Sequence, residues 1–273
     1  MIPELEKFFR VNKLPHIWCP GCGNGIITRC LVEAISQLDI DYDKTIVISG
    51  IGCSSRAPGY MNFDTLHTTH GRALAFATGV KLANPELTVF VITGDGDATA
   101  IGGNHFIHAA RRNIDLNVIL YNNNIYGMTG GQGSPLTPTG HFSTTTPYGS
   151  VDRNFDITKL AIAAGATYVA RGTAFHDKLL TDCIKKGVEN KGFSLIEAIT
   201  MCPISYGRKN NFATPASMLE WQKNNAINVK AAQKLPPEKI AGKLLIGELH
   251  NEPYAEYTAE YDKLIAKYQE GAK

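Results

Sequence analysis

Residues 87–124 read LTVFVITGDGDATAIGGNHFIHAARRNIDLNVILYNNN, and this stretch decides the fold. It opens and closes with short apolar runs, 87–96 and 116–124, which predict strands buried on both faces. The residues between them, 101–112, have helical spacing. A strand, a helix and a second strand in this order form a βαβ unit, whose two strands run parallel.

The rest of the chain repeats this alternation. Three further runs predict strands, at 45–52, 166–171 and 193–201. Four more segments with helical spacing predict the helices that cover the sheet, at 24–38, 71–83, 156–164 and 175–190. We therefore expect an α/β fold, with a parallel sheet and helices on both of its faces.

Two stretches depart from this pattern. Residues 126–154 are rich in Gly, Thr, Ser and Pro, and a loop of that length inside a compact domain is usually functional or disordered. The expected domain covers residues 1–205, and a more polar C-terminal extension covers 206–273. This extension is either a subunit interface or a solvated cap, and its predicted elements are helices at 217–233 and 255–269 and an apolar run at 244–249.

Polar and cysteine residues follow four of the predicted strands directly. They are Gly52 and Cys53, then Gly94, Asp95, Gly96 and Asp97, then Asn122, Asn123 and Asn124, and finally Cys202. In open α/β sheets, ligands bind in the crevice outside the carboxyl ends of the strands. The sequence therefore predicts one site at this edge of the sheet.

The Gly-Asp-Gly segment and the asparagines indicate a diphosphate held through a metal ion. Glycines let a phosphate approach the backbone, and a helix N-terminus favours its charge. An aspartate there would repel a bare phosphate, but Asp95 and Asn123 together offer the oxygen ligands that Mg²⁺ prefers. An ordinary turn at the end of a strand is the alternative, because Gly, Asp and Asn are common in turns.

Six cysteines are unusual in a chain whose N-terminus lacks the features of a secretory signal, and they indicate metal or redox chemistry. Cys19 and Cys22 form a C-x-x-C pair, and Cys53 and Cys202 each follow a strand. Four thiolates suit a [4Fe-4S] cluster or a tetrahedral zinc ion. The alternative for Cys53 and Cys202 is simple burial, which is our prediction for Cys30 and Cys183 within helices.

Composition and net charge argue against two classes of binding partner, nucleic acids and membranes. The net charge of +2 leaves no basic excess for nucleic-acid binding. No run approaches the length of about 18 apolar residues that a membrane-spanning helix needs. We expect a cytoplasmic protein that binds neither nucleic acid nor membrane.

The motifs resemble those of a known family. The segment GDGD…YNNNIYGMTGGQ is similar to the diphosphate motif of thiamine-diphosphate enzymes. Together with WCPGCGNG, GIGCSS and HGRALAFATG, it resembles the β subunit of 2-oxoacid:ferredoxin oxidoreductases, most closely the 2-oxoglutarate type. The resemblance covers about residues 10–205, and its four motifs follow the order of the family.

The resemblance implies a role for each matching residue. Cys19, Cys22, Cys53 and Cys202 would hold one [4Fe-4S] cluster, and Asp95, Asn123 and the carbonyl of Ile125 would bind Mg²⁺. Thiamine diphosphate would be contacted by Ile51, Gly52, Cys53, Ser54, Gly94, Asp95, Gly96, Asp97, Asn123, Ile125, Gly127, Met128 and Thr129. His70 would contact cofactor or substrate, unless it only begins a helix. Arg72 would help to bind the substrate's carboxylates, because this chain has glycines where some members have a lysine.

The resemblance also implies the chemistry and the partners. The expected reaction is coenzyme A-dependent oxidative decarboxylation of 2-oxoglutarate to succinyl-CoA and CO2, with electrons passing through the cluster to ferredoxin. A low-potential cluster would also allow the reverse reaction. The glutamate that activates thiamine comes from the α subunit in this family, so we expect an α/β complex, (αβ)₂, that is inactive without α. The alternatives are pyruvate or another 2-oxoacid as substrate, a non-redox thiamine-dependent decarboxylase, and a zinc-stabilised nucleotide-binding module.

Overall fold

The computed structural model describes residues 3–270. Residues 1–2 of the predicted domain and 271–273 of the predicted C-terminal extension lie outside the described residues. The described residues form an eight-stranded sheet. Its strands are β1 (Thr45–Ser49), β2 (Asp64–His67), β3 (Thr88–Gly94), β4 (Leu116–Asn122), β5 (Tyr168–Thr173), β6 (Phe193–Ile199), β7 (Ala226–Asn228) and β8 (Leu244–Asn251). The helices are α1 (Asn24–Gln37), α2 (Ala73–Ala83), α3 (Gly103–Arg111), α4 (Ile157–Ala164), α5 (Asp177–Glu189), α6 (Pro215–Asn225), α7 (Val229–Ala232), α8 (Pro237–Ile240) and α9 (Tyr257–Glu270).

The sheet has the strand order β2-β1-β3-β4-β6-β5-β8-β7. All neighbouring strands run parallel except β5 and β8, which are antiparallel. The carboxyl ends of β1, β3, β4 and β6 therefore lie at one edge. The five predicted strands and the α/β class with its mainly parallel sheet are confirmed.

The central strands are apolar on both sides, which is why both faces are covered. Along β3, Phe90 and Ile92 belong to the core on one face, and Val89 and Val91 belong to the core on the other. The first face is packed by α1 and α5, and the second by α2, α3 and α4. None of the helices in residues 3–270 is long and apolar enough to cross a membrane.

Helix α4 shows how the local sequence fixes an element. The carboxylate of Asp156 accepts a hydrogen bond from the backbone N–H of Lys159 and caps the first turn. The helix ends at Gly165, which has a φ of 101°, a left-handed conformation that glycine adopts without strain. The same carboxylate of Asp156 also bonds Arg171 on β5, so the cap ties α4 to the sheet.

The C-terminal residues differ from the prediction. The single helix predicted at 217–233 is wrong in its middle, because residues 226–228 form β7 and pair with β8. Backbone pairing with a neighbouring strand has overridden the helical spacing there. The apolar run at 244–249 lies within β8, which pairs with β5. Part of the predicted extension thus completes the main sheet.

Candidate active site at the carboxyl edge of the sheet

A crevice opens where the segments after β1, β3 and β4 meet, and we call it the edge crevice. It is lined by every residue predicted to contact the cofactor, namely Ile51, Gly52, Cys53, Ser54, His70, Gly94, Asp95, Gly96, Asp97, Asn123, Ile125, Gly127, Met128 and Thr129. Three lining residues did not stand out in the sequence: Asn24, Tyr121 and Tyr126. The structure thus brings the distant segments together, as their positions after parallel strands predict.

Asp95 and Asn123 give the edge crevice its buried oxygen atoms. Both side chains are less than a tenth exposed. Burial raises the pKa of Asp95 to about 7, against hydrogen bonds from Ser134 and from backbone N–H groups. A cation beside a carboxylate favours its ionised form. Carboxylate and amide oxygens are the hard ligands that suit Mg²⁺, so these residues fit that ion.

Both carboxylate oxygen atoms of Asp97 accept hydrogen bonds from other residues of the protein. Its Oδ1 atom accepts hydrogen bonds from the backbone N–H of Gly71 at 2.7 Å and from Nδ1 of His70. Its Oδ2 atom accepts from the hydroxyl of Thr93 at 2.8 Å. Gly50 leaves room for this carboxylate, which a Cβ atom there would overlap. Asp97 therefore fixes the segment that carries His70 against the end of β3.

The hydrogen bond to Asp97 also indicates the tautomer of the neutral His70 ring. An ionised carboxylate can only accept hydrogen bonds, so we assign a proton to Nδ1 of His70. The side chain is one third exposed and lines the edge crevice. In its neutral form the ring has Nε2 as an acceptor for a ligand.

Two buried polar groups in the edge crevice lack a partner. Neither Nδ2 of Asn24 nor Oγ of Ser54 has a hydrogen-bond partner among residues 3–270. Leaving a buried donor unsatisfied costs about 1–3 kcal/mol. Both groups can donate to the oxygen atoms of a bound diphosphate. The edge crevice therefore fits a ligand rich in acceptors.

Arg72 is not brought to the edge crevice. Its guanidinium donates to the carbonyls of Ile101, at 2.9 Å, and Gly71, at 3.4 Å. Arg72 directly precedes α2, and its side chain reaches the end of the π-helical turn Asp97–Ile101. A contact between Arg72 and the substrate's carboxylates stays a prediction.

The four cysteines predicted to bind a cluster lie together. A Cβ atom on Gly127 would stand 3.4 Å from Sγ of Cys202 and 3.5 Å from Sγ of Cys53. Burial, with smaller contributions from the nearby thiols of Cys202, Cys53 and Cys19, raises the pKa of Cys22 to about 12. The thiols are free. Gly127 therefore lies beside two of these sulfurs and also lines the edge crevice.

The cysteines in the described part of the chain do not form a ready site for a single metal ion, because no group of three or more His, Cys, Asp or Glu side chains within residues 3–270 is arranged to hold one. With Zn–S bonds of about 2.3 Å, the sulfurs around tetrahedral zinc must approach to roughly 4 Å. A [4Fe-4S] cluster has more than one iron and accepts thiolates that lie further apart.

The other two cysteines belong to the core, as predicted. Cys30 is 0% exposed and Cys183 is 3% exposed, and both pack in the core on the α1 and α5 face of the sheet.

The comparison with known proteins agrees with this geometry. Residues 50–198 match the family described as thiamine pyrophosphate enzyme, C-terminal TPP binding domain. The 2-oxoglutarate synthase subunit KorB of Methanothermobacter marburgensis is 56% identical over 92% of this chain and 88% of that subunit. The subunit of the same name from Methanocaldococcus jannaschii is 54% identical over 98% of both chains. The chain belongs to the family of KorB subunits.

A solved structure extends this comparison. The 2-oxoglutarate:ferredoxin oxidoreductase from Magnetococcus marinus superposes with a TM-score of 0.86 at 32% identity, covering 97% of this chain and 90% of that one. That structure contains bound 2-oxoglutarate, coenzyme A and succinyl-CoA. The resemblance found in the motifs is confirmed. The range that matches the thiamine family contains Cys53 and excludes Cys19, Cys22 and Cys202.

Proposed function

We propose that this KorB subunit works in an enzyme that oxidatively decarboxylates 2-oxoglutarate and transfers the succinyl group to coenzyme A. The observation that carries the proposal is the edge crevice, where all predicted cofactor contacts meet. It lies in a chain that is similar to KorB subunits over nearly its whole length. Thiamine diphosphate, when bound, supplies the electron sink for the carbanion that decarboxylation leaves.

The residues of this chain would bind and orient the cofactor and the substrate. Asp95, Asn123 and the carbonyl of Ile125 would hold Mg²⁺ against the diphosphate, and the donors of Asn24 and Ser54 would satisfy its oxygen atoms. His70, fixed by Asp97, would offer an acceptor to the cofactor or substrate. These roles follow from buried oxygens and unpaired donors in one crevice.

Electrons would leave through a [4Fe-4S] cluster on Cys19, Cys22, Cys53 and Cys202. Cys19 is exposed, so a cluster on these thiols reaches close to the protein surface. Ferredoxin would accept these electrons, as the resemblance of the motifs implies.

The active enzyme would need an α subunit. In the part of the chain that the structure describes, the only carboxylates that line the edge crevice are those of Asp95 and Asp97, and neither is a glutamate for the thiamine aminopyrimidine. We propose that the partner supplies this group across an interface, in an (αβ)₂ complex in the cytoplasm.

The test is anaerobic co-expression with the α subunit, followed by dye reduction with a panel of 2-oxoacids. We expect reduction that depends on coenzyme A and is fastest with 2-oxoglutarate, together with bound iron and acid-labile sulfide. Activity confined to pyruvate or another 2-oxoacid would change the substrate. A complex that binds thiamine diphosphate but contains no iron would support a non-redox decarboxylase, and bound zinc would support the nucleotide-binding module.

A further inference from the structure

The long loop 126–154 reaches back to the carboxylate of Asp95, which is a proposed metal ligand. The hydroxyl of Ser134 donates a hydrogen bond to Oδ2 of Asp95 at 2.5 Å. Ser134 is only 9% exposed, so water competes little for this contact. The bond takes up Oδ2 and thereby sets the direction in which Oδ1 points.

The same part of the loop holds the turn that presents Asn123. The hydroxyl of Thr137 accepts from the backbone N–H of Ser134 at 2.8 Å and donates to the carbonyl of Asn124 at 2.6 Å. Asn124 has a φ of 61°, a left-handed conformation that is uncommon for residues other than glycine. The surrounding bonds must therefore hold this turn in place.

A second anchor holds the turn from the sheet side. Oδ1 of Asn122 accepts from the backbone N–H of Asn124 at 3.0 Å. Its Nδ2 donates to Glu197 on β6 at 2.7 Å, and Glu197 is paired with Arg171. Asn122 is 4% exposed, so its amide is fixed at both ends inside the protein.

We propose that Ser134 and Asn122 are positioning residues for a divalent-cation site, in which Ser134 orients Asp95 and Asn122 orients the turn carrying Asn123. The inference rests on the proposed thiamine diphosphate–Mg²⁺ site. It gives the loop 126–154 a function, because order in this loop and cation binding at Asp95 stabilise each other. Neither side chain is among the three groups proposed to bind the cation.

Removing such an outer contact typically weakens metal affinity about 10–100-fold. We expect Ser134→Ala and Asn122→Ala each to weaken Mg²⁺ binding by about this factor. Ser134→Thr keeps the hydroxyl, so we expect it to bind Mg²⁺ more tightly than Ser134→Ala. At saturating Mg²⁺ the turnover rate should approach that of the wild type, because the reacting groups are unchanged.

Two matched controls exist in the chain. Ser143 is a buried serine of the same loop whose hydroxyl bonds only Thr145 and Thr146 within the described residues. Asn117 is a buried asparagine on β4 that donates to the carbonyl of Val89. Ser143→Ala and Asn117→Ala test whether any lost buried hydrogen bond has the same effect.

The experiment is a Mg²⁺ titration of the chelator-treated α/β complex at fixed thiamine diphosphate. Binding is followed by calorimetry, and the thermal midpoint without metal reports on folding. The proposal requires weaker Mg²⁺ binding in Ser134→Ala and Asn122→Ala than in both controls. Affinities within twofold of wild type, or equal losses in the controls, overturn it. A wild-type complex with no Mg²⁺-dependent binding overturns the cofactor assignment as well, so the two failures are distinguishable.

Discussion

Replacing Arg171 with Met should destabilise the subunit strongly. The guanidinium lies 2.6 Å from the carboxylate of Glu197 and 2.9 Å from that of Asp156. The side chains of Arg171 and Glu197 are 11% and 3% exposed. Methionine preserves the apolar stem but leaves the charge of Glu197 buried without a cation. The effect should therefore be that of a broken buried ion pair and not of a surface pair.

Breaking a buried pair by removing one partner costs about 3–5 kcal/mol. The entropy of unfolding is about 2.1 cal/mol/K per residue. For a chain of 273 residues, the lost free energy therefore lowers Tm by about 5–9 °C. The exposed pair of Lys263 and Glu260 is the matched control, because such pairs contribute about 0–1 kcal/mol. Lys263→Met should therefore shift Tm by less than about 2 °C.

Thermal unfolding, measured by calorimetry on variants in the same assembly, tests this. The decisive sample is the double variant Arg171→Met with Glu197→Gln, which no longer contains the isolated charge but keeps an acceptor for Asn122. It should melt above the single Arg171→Met variant. A double variant that melts at or below the single one would refute the reasoning, because the loss would then come from packing.

Three shorter predictions concern the cysteines, the loop and pH. Cys202→Ser should lose most of the iron per subunit, whereas Cys30→Ser should keep it, as measured by iron and sulfide analysis. Gly127→Ala places a methyl group 3.4 and 3.5 Å from the two thiols, an ordinary van der Waals distance, so iron and sulfide content should stay near that of wild type by the same analysis. Burial raises the pKa of Asp156, but the hydroxyl of Thr158 and the guanidinium of Arg171 outweigh burial and hold this pKa below its usual value. The stability that this carboxylate contributes is fully present above its pKa in the unfolded chain, and it is lost as the pH falls through its pKa in the folded protein. Acid should therefore lower the Tm of Asp156→Asn less than that of the wild type.

The strands that could be predicted are those buried on both faces, because a short, continuous apolar run such as 88–94 is typical of a central strand in a parallel sheet. The two strands that local sequence does not reveal, β2 and β7, are edge strands with exposed or half-exposed residues. Their pairing partners lie elsewhere in the chain, so local composition gives little sign of them. The same limit accounts for the helix predicted across β7, since β8 lies sixteen or more residues further on.

The candidate site was easier to predict than its surroundings. Parallel strands place their carboxyl ends together, so residues such as Asp95 and Asn123 could be assigned to one edge from order alone. Asn24 was missed because it is placed in the edge crevice by α1, a helix outside the βαβ pattern. The contact between Ser134 and Asp95 spans 39 residues, and only the folded loop brings these side chains together.

The antiparallel strand β8 has a consequence for biosynthesis. Between the emergence of Thr173 and that of Asn251, β5 presents an unpaired edge on the ribosome. At about 5–20 residues per second, this interval lasts about 4–16 s. An unpaired edge is a template for pairing with other chains, so nascent chains on neighbouring ribosomes are exposed to aggregation during that time. Slowing translation over this span should increase the fraction of insoluble protein, and a chaperone that shields nascent strands should reduce it.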